Sequence, residues 1–223
     1  MAKQTLIINF KTYEQSTGEN AVKLAKIAEK VAKQTKVEII VAVQAADLYR
    51  VSKAVKIPVF VQHMDAIDYG QFTGWILPES VKANGASGCL INHSEHRLNV
   101  DVIEGIVKRA KKLGLRTCVC ANDAEVGAAL SALKPEFVAV EPPELIGGDI
   151  SVSTANPKLV VNSVRQICDV NKAEKVLVGA GIKTKDDVVK SVQLGARGIL
   201  VASGIVKSKN PADAIKEMAE GLK

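Results

Sequence analysis

The chain has 223 residues, of which 47% are hydrophobic and 24% charged, a balance typical of soluble globular proteins and unlike disordered or collagen-like chains. Its formal charge of +6 is carried by lysines dispersed along the sequence, and with only 4% aromatic residues it offers few stacking platforms, so nucleic acid is not an expected partner. No apolar run approaches the ~18 residues of a membrane span, and the N-terminal run "LIINF" breaks at Lys11, so neither a span nor a secretory signal is expected and the cytoplasm is the expected location.

Eight short apolar or β-branched runs follow one another: residues 6–10, 38–43, 57–62, 88–92, 116–121, 137–141, 175–180 and 198–203. They are almost continuously apolar, the pattern of parallel strands covered on both faces. Helical periodicity fills the gaps. "NAVKLAKIAEKVAKQ" gathers Val22, Leu24, Ala25, Ile27, Ala28 and Val31 on one stripe. "VDVIEGIVKRAKKLG" does likewise and stops at Gly114, a helix-ending glycine. "KTKDDVVKSVQLGA" opens with Thr184 and Asp187 at capping-box spacing and closes at Gly195; "NDAEVGAALSAL" reads as a shorter helix. Strand and helix alternating eight times without a linker predicts one domain over 1–223, a single (β/α)8 barrel of eight parallel strands. An open doubly wound sheet would usually show G-x-G-x-x-G after its first strand, where this chain has "KTYEQSTG".

Cys89, Cys118 and Cys120 fall inside strand-like runs and Cys168 outside them, which predicts reduced, mostly buried thiols. The "CVC" stretch turns successive side chains to opposite faces, which is read as poor geometry for joint metal ligation. The cysteines are therefore not read as a metal or redox site.

In such a barrel the chemistry gathers at the C-terminal ends of the strands. That places Asn9 and Lys11 after the first strand, Gln62 and His63 after the third, Asn92, His93 and Glu95 after the fourth, and Glu141 after the sixth. Asn9 alternates with Lys11 and points to the same side. His93 is expected near a helix start whose dipole would keep its imidazole neutral, with His96 on the helix surface. Glu141 precedes two prolines, and desolvation by the following loop would raise its pKa and suit it as a base; Glu144 reads as a structural loop acid. "LIGGDISVST" is expected to offer backbone N–H groups to a phosphate, as are the turns "VGAGIKT" and "VASGIVK" after the last two strands.

Taken in order, "NFK", "NHSE", "AVEPPELIG", "GAGI" and "LVAS" resemble the motifs of the triosephosphate isomerases, in their short archaeal-type branch, over essentially the whole chain. The resemblance implies a TIM barrel that interconverts dihydroxyacetone phosphate and D-glyceraldehyde 3-phosphate through an enediolate, without a metal or organic cofactor, in glycolysis and gluconeogenesis. It implies Glu141 as the base, neutral His93 as the electrophile and Lys11 as the cation at the developing charge. Asn9, Phe10 and Lys11, with Ile146, Gly147, Gly181, Ala202 and Ser203, would bind substrate, and Glu95 would stand behind Lys11. Its loop after the third strand implies a homo-oligomer, a tetramer ahead of a dimer. This chain departs from the family pattern at "GGD", with Gly148 and Asp149 after the lid motif, and at Trp75, where a histidine is common; His63 is left without a role. Two rival readings are a Schiff-base aldolase using Lys11 or Lys183, and a barrel that binds phosphorylated ligands without turning them over.

Overall fold

The computed structural model describes residues 4–142, 145, 151–172 and 175–223. Eight strands appear where the apolar runs fall: β1 (Thr5–Asn9), β2 (Glu38–Val43), β3 (Val59–Val61), β4 (Gly88–Ile91), β5 (Arg116–Ala121), β6 (Phe137–Val140), β7 (Lys175–Val178) and β8 (Gly198–Val201). Each pairs in parallel with the next, and β8 returns to β1, which closes the barrel. The strands end one or two residues earlier than most of the runs, so Glu141 and Asn92 stand just beyond the last paired residue. β3 is the shortest because Pro58 can lend the sheet a carbonyl, which accepts from Val41, but has no N–H to return.

Alternation along the strands makes two cores. Ile7, Ile40, Ala42, Phe60, Leu90, Cys118, Cys120, Phe137, Ala139, Leu177 and Leu200 fill the barrel interior. Leu6, Ile8, Val41, Val61, Ile91, Val119 and Val138 face outward into the layer of helices. Cys118 and Cys120 therefore share the interior face with Val119 opposite, which corrects the expectation that "CVC" holds the two thiols apart: residues two apart in a strand lie on one side. None of the four cysteines forms a disulfide. Among the described residues, no three His, Cys, Asp or Glu side chains gather where they could hold a metal ion, and no helix is long and apolar enough to cross a membrane.

The outer layer begins with α1 (Glu19–Thr35), which buries Leu24, Ala25, Ala28 and Val31 and packs Val22 and Ile27 against the same core. α2 (Leu48–Ala54), α3 (Pro78–Ala83), α4 (Val100–Lys112) and α5 (Ala124–Ser131) follow their strands in turn. α4 stops at Gly114 in the left-handed region at φ 64°, as its sequence predicts. After β6 come α6 (Val152–Ala155) and α7 (Pro157–Val170), then α8 (Lys185–Gln193), the short α9 (Ser203–Val206) and α10 (Pro211–Gly221). The capping box of α8 is complete: Thr184 accepts from the Asp187 N–H, and Asp187 accepts from the Thr184 N–H.

Candidate active site

Three of the five non-glycine residues with positive φ among those described lie at the C-terminal rim of the barrel: Lys11 (48°), Asn92 (61°) and Ala180 (71°). Each such backbone costs on the order of 1 kcal/mol or more and persists only where its surroundings hold it. Lys11 is held at both ends, its N–H donating to Asn9 Oδ1 and its carbonyl accepting from Gln62 Nε2, both at 3.0 Å. The same Gln62 amide lies 3.2 Å from Asn9 Oδ1 and from the Ala42 carbonyl. Asn92 Oδ1 accepts from Leu98 N–H, its amide donates to the Cys120 carbonyl, and its own carbonyl accepts from Arg97 at 2.7 Å. The Ala180 carbonyl accepts from Val152 N–H at 3.2 Å.

These turns aim their neighbours inward. Asn9, Lys11 and Tyr13 from the first loop, His93, Glu141, Ala180 to Lys183, and Leu200 to Ser203 line one cavity. Lys11 Nζ lies 2.7 Å from Glu95 Oε1, with the lysine side chain 11% exposed. The Glu95 N–H donates to His93 Nδ1 at 3.2 Å, which leaves that nitrogen as the acceptor and puts the ring proton on Nε2, towards the cavity. His93 is buried; that burial first, then the charge of Lys11, lowers its pKa to about 4 against the opposing pull of Glu95. The imidazole is neutral near pH 7. The cause differs from the one expected, because α4 begins only at Val100 and no helix start adjoins His93. His96 likewise sits in the turn before α4 and not on its surface.

Glu141 is buried and anchored by its N–H to the Ala121 carbonyl at 2.9 Å. Its Oε2 lies 3.6 Å from His93 Nε2, too far for a hydrogen bond, and has no hydrogen-bonding partner. Desolvation pushes its pKa up to about 7, offset only in part by the Cys120 thiol below it and by the charges of Lys11 and Arg97. The room for this carboxylate comes from Gly179: a Cβ there would stand 2.5 Å from Glu141 Oε1 and 2.6 Å from its Cγ.

On the opposite wall, Gly204 lets α9 approach the turn after β7, since a Cβ on it would meet the Ile182 carbonyl at 2.9 Å. Gly181, Ala202 and Ser203 thus line the same cavity. Phe10 does not join them. Its side chain is fully buried in the outer core, and its N–H and carbonyl are taken by Ala42 and Ser16, so the alternation that brings Asn9 and Lys11 inward turns Phe10 away. Within "LIGGDISVST" the described part also looks elsewhere: Val152 and Thr154 N–H bind the Ala180 and Ser151 carbonyls, and the Ser151 and Ser153 hydroxyls face each other in the interior. Pro143, Glu144, Ile146, Gly147, Gly148 and Asp149 lie outside the described residues.

Tyr13, Cys120 and Gly179 are site residues that sequence reasoning missed. Two signals bear on them: Tyr13 keeps the alternation of Asn9 and Lys11, and Gly179 precedes the Gly181 turn in "VGAG". Trp75 is 58% exposed in the loop after β3, beside exposed Tyr69 and Phe72.

The sequence profile described as "Triosephosphate isomerase" matches residues 4–218. The chain belongs to the triosephosphate isomerase family. Among curated relatives, the triosephosphate isomerase of Methanobacterium bryantii is 50% identical over 97% of this chain and 96% of its own length. That of Methanocaldococcus jannaschii is 48% identical over 96% and 97%. A crystal structure of triosephosphate isomerase from Bartonella henselae superposes with a TM-score of 0.79 over 99% of both chains at 17% identity, a likeness of fold. The archaeal-type branch read from the motifs agrees with these methanogen relatives.

Proposed function

We propose that Glu141, His93 and Lys11 carry out the family's reaction in this chain, the interconversion of dihydroxyacetone phosphate and D-glyceraldehyde 3-phosphate through an enediolate. One observation carries the assignment: a buried carboxylate with its pKa near 7 stands 3.6 Å from a buried imidazole that is neutral at that pH, at the end of the barrel where Lys11 also points. The division of labour is the one established for this enzyme family. Glu141 takes a proton from the carbon beside the carbonyl. His93 donates its Nε2 proton to the carbonyl oxygen, and Lys11 balances the negative charge that gathers on the oxygens. As the neighbouring hydroxyl becomes the new carbonyl, its proton passes back to His93 Nε2, and Glu141 returns its proton to the adjacent carbon.

Asn9 orients the oxygens, Glu95 holds Lys11, and the backbone at Gly181, Ala202 and Ser203, with Ile146 and Gly147, takes the phosphate. Lys11 Nζ is engaged by the Glu95 carboxylate at 2.7 Å, whereas a Schiff-base lysine needs its nitrogen free to attack, which favours isomerisation over an aldolase reading. Residues 1–223 act as one catalytic domain in the cytoplasm, serving glycolysis and gluconeogenesis.

A coupled assay with each triose phosphate tests the reaction; absence of turnover in both directions would overturn it. Glu141→Gln is expected to lower kcat by about 10²-fold or more. Retention of full activity by that variant would remove Glu141 from the role of base.

The same reading includes a homotetramer. Its support is the loop after β3, which holds Tyr69, Phe72 and Trp75 exposed, with Phe72 and Trp75 in edge contact at 6.2 Å. Light scattering is expected to give about four times 23.7 kDa; a monomeric mass would exclude it.

A further inference from the structure

His63 takes no part in the chemistry above, yet its side chain is only 17% exposed and engaged on two sides. Its Nε2 lies 3.1 Å from Asp65 Oδ1, and its ring packs on that of His96 with centroids 4.4 Å apart and a tilt of 36°. Because a carboxylate only accepts, Nε2 is the donor in this contact.

Asp65 closes the neck of the loop 65–76. Its N–H donates to the Ile76 carbonyl at 3.0 Å, and its Oδ2 accepts from Ile76 N–H at 2.6 Å. The loop is seated again on α4, where Arg109 pairs with Asp68 at 2.5 Å and also with Glu79, and where Gly105 leaves room for Ala66. The neck is therefore fixed while the aromatic tip stays exposed.

On the other side of His63, His96 belongs to the turn that carries the catalytic machinery. The His96 N–H donates to the His93 carbonyl at 2.8 Å, and the same turn places Glu95 on His93 Nδ1 and on Lys11. Lys11, His63, His93, Glu95 and His96 line one recess beside the substrate cavity. A continuous line of contacts thus runs from the loop neck through Asp65, His63 and His96 to the turn at 93–96.

We propose that His63 is a positioning residue of the isomerase, latching the neck of the loop 65–76 to the turn that orients His93. The proposal rests on His93 as the group that polarises the carbonyl. The Glu95 N–H to His93 Nδ1 bond, at 3.2 Å, is the contact that tilts when the turn loses its buttress, and a tilt of the Nε2 proton slows chemistry more than it weakens binding.

Two full-length variants separate the two sides of the latch. His63→Phe keeps a ring against His96 and loses the bond to Asp65; His63→Gln keeps an N–H donor and loses the ring. In each, kcat is expected to fall about three- to tenfold, less than the ~100-fold that a 1 Å misplacement can cost. KM is expected to stay within about twofold, and the ¹⁵N resonances of the His93 imidazole to move. Combining His63→Phe with Asp65→Asn is expected to slow the enzyme no further than the slower single variant, because both cut one line. Unchanged kcat and His93 resonances in both His63 variants, or additive losses in the double variant, would overturn the latch. His93→Gln is assayed beside them: full turnover in that variant overturns the reading of His93, whereas collapsed turnover there with His63 silent overturns only the latch.

Discussion

Burial holds the Glu141 pKa near 7, and the chain is less stable for it. The sign follows from proton counting. An unfolded Glu141 titrates at its ordinary value of 4.5, so between 4.5 and about 7 the folded state binds more protons and stability falls as pH rises through that window. The interval corresponds to about 3 kcal/mol, taken as an upper figure. Glu141→Gln removes the penalty while keeping the shape of the side chain. Urea denaturation is expected to show the variant more stable than the parent by about 1 to 3 kcal/mol at pH 8, with the difference nearly gone at pH 4. Equal stability at pH 8 would mean that the carboxylate is not held in a desolvated site. His93 shifts in the opposite direction, but it is present in both proteins and largely cancels in the comparison.

At the scale of elements, the apolar runs were legible because strands covered on both faces need no polar alternation, and each run found its strand. Thr184 with Asp187, and Gly114, announced helix ends because caps are local in sequence. Lys11, Asn9, His93 and Glu141 could be ranked because the barrel assigns chemistry to strand ends, and the motif resemblance then assigned their roles. What the sequence hid depends on distant approach. Gly179 matters because β7 ends against the Glu141 carboxylate of β6, and Gly204 because α9 lies on the turn after β7. His63 was visible as a residue, but its partners Asp65 and His96 come from two different loops and carry no shared spacing. The pKa of His93 was read in the right direction from the wrong cause, since the gap between His93 and α4 shows only once the turn at 93–96 is built.

The barrel as a whole has a polar network at the end opposite the site. Arg116, at the start of β5, reaches Glu38 of β2 at 3.0 Å and Glu136, just before β6, at 2.8 Å; Lys175 of β7 joins Glu136 at 2.9 Å. Thr5 of β1 donates to Glu38 at 2.7 Å, so five staves of the barrel meet in one network. The Arg116 guanidinium also lies over the interior rings of Phe60 and Phe137, at 5.8 and 5.1 Å. Burial pushes both carboxylates up. The hydrogen bonds and charge of Arg116, with Thr5 at Glu38 and Lys175 at Glu136, outweigh it and hold both below the ordinary 4.5. Groups with lowered pKa contribute stability above 4.5 and lose it as pH falls through their folded values. Arg116→Met keeps the apolar stem over the two rings and leaves two half-buried carboxylates short of their main partner. Removing one member of a buried pair costs about 3 to 5 kcal/mol, and partial exposure here reduces the expectation to about 2 kcal/mol. Chemical denaturation is expected to show that loss at pH 7 and a progressively smaller one as pH falls below 4.5 through the lowered folded values of Glu38 and Glu136. A loss that does not shrink with acid would assign the role of Arg116 to packing on Phe60 and Phe137 instead of to the network.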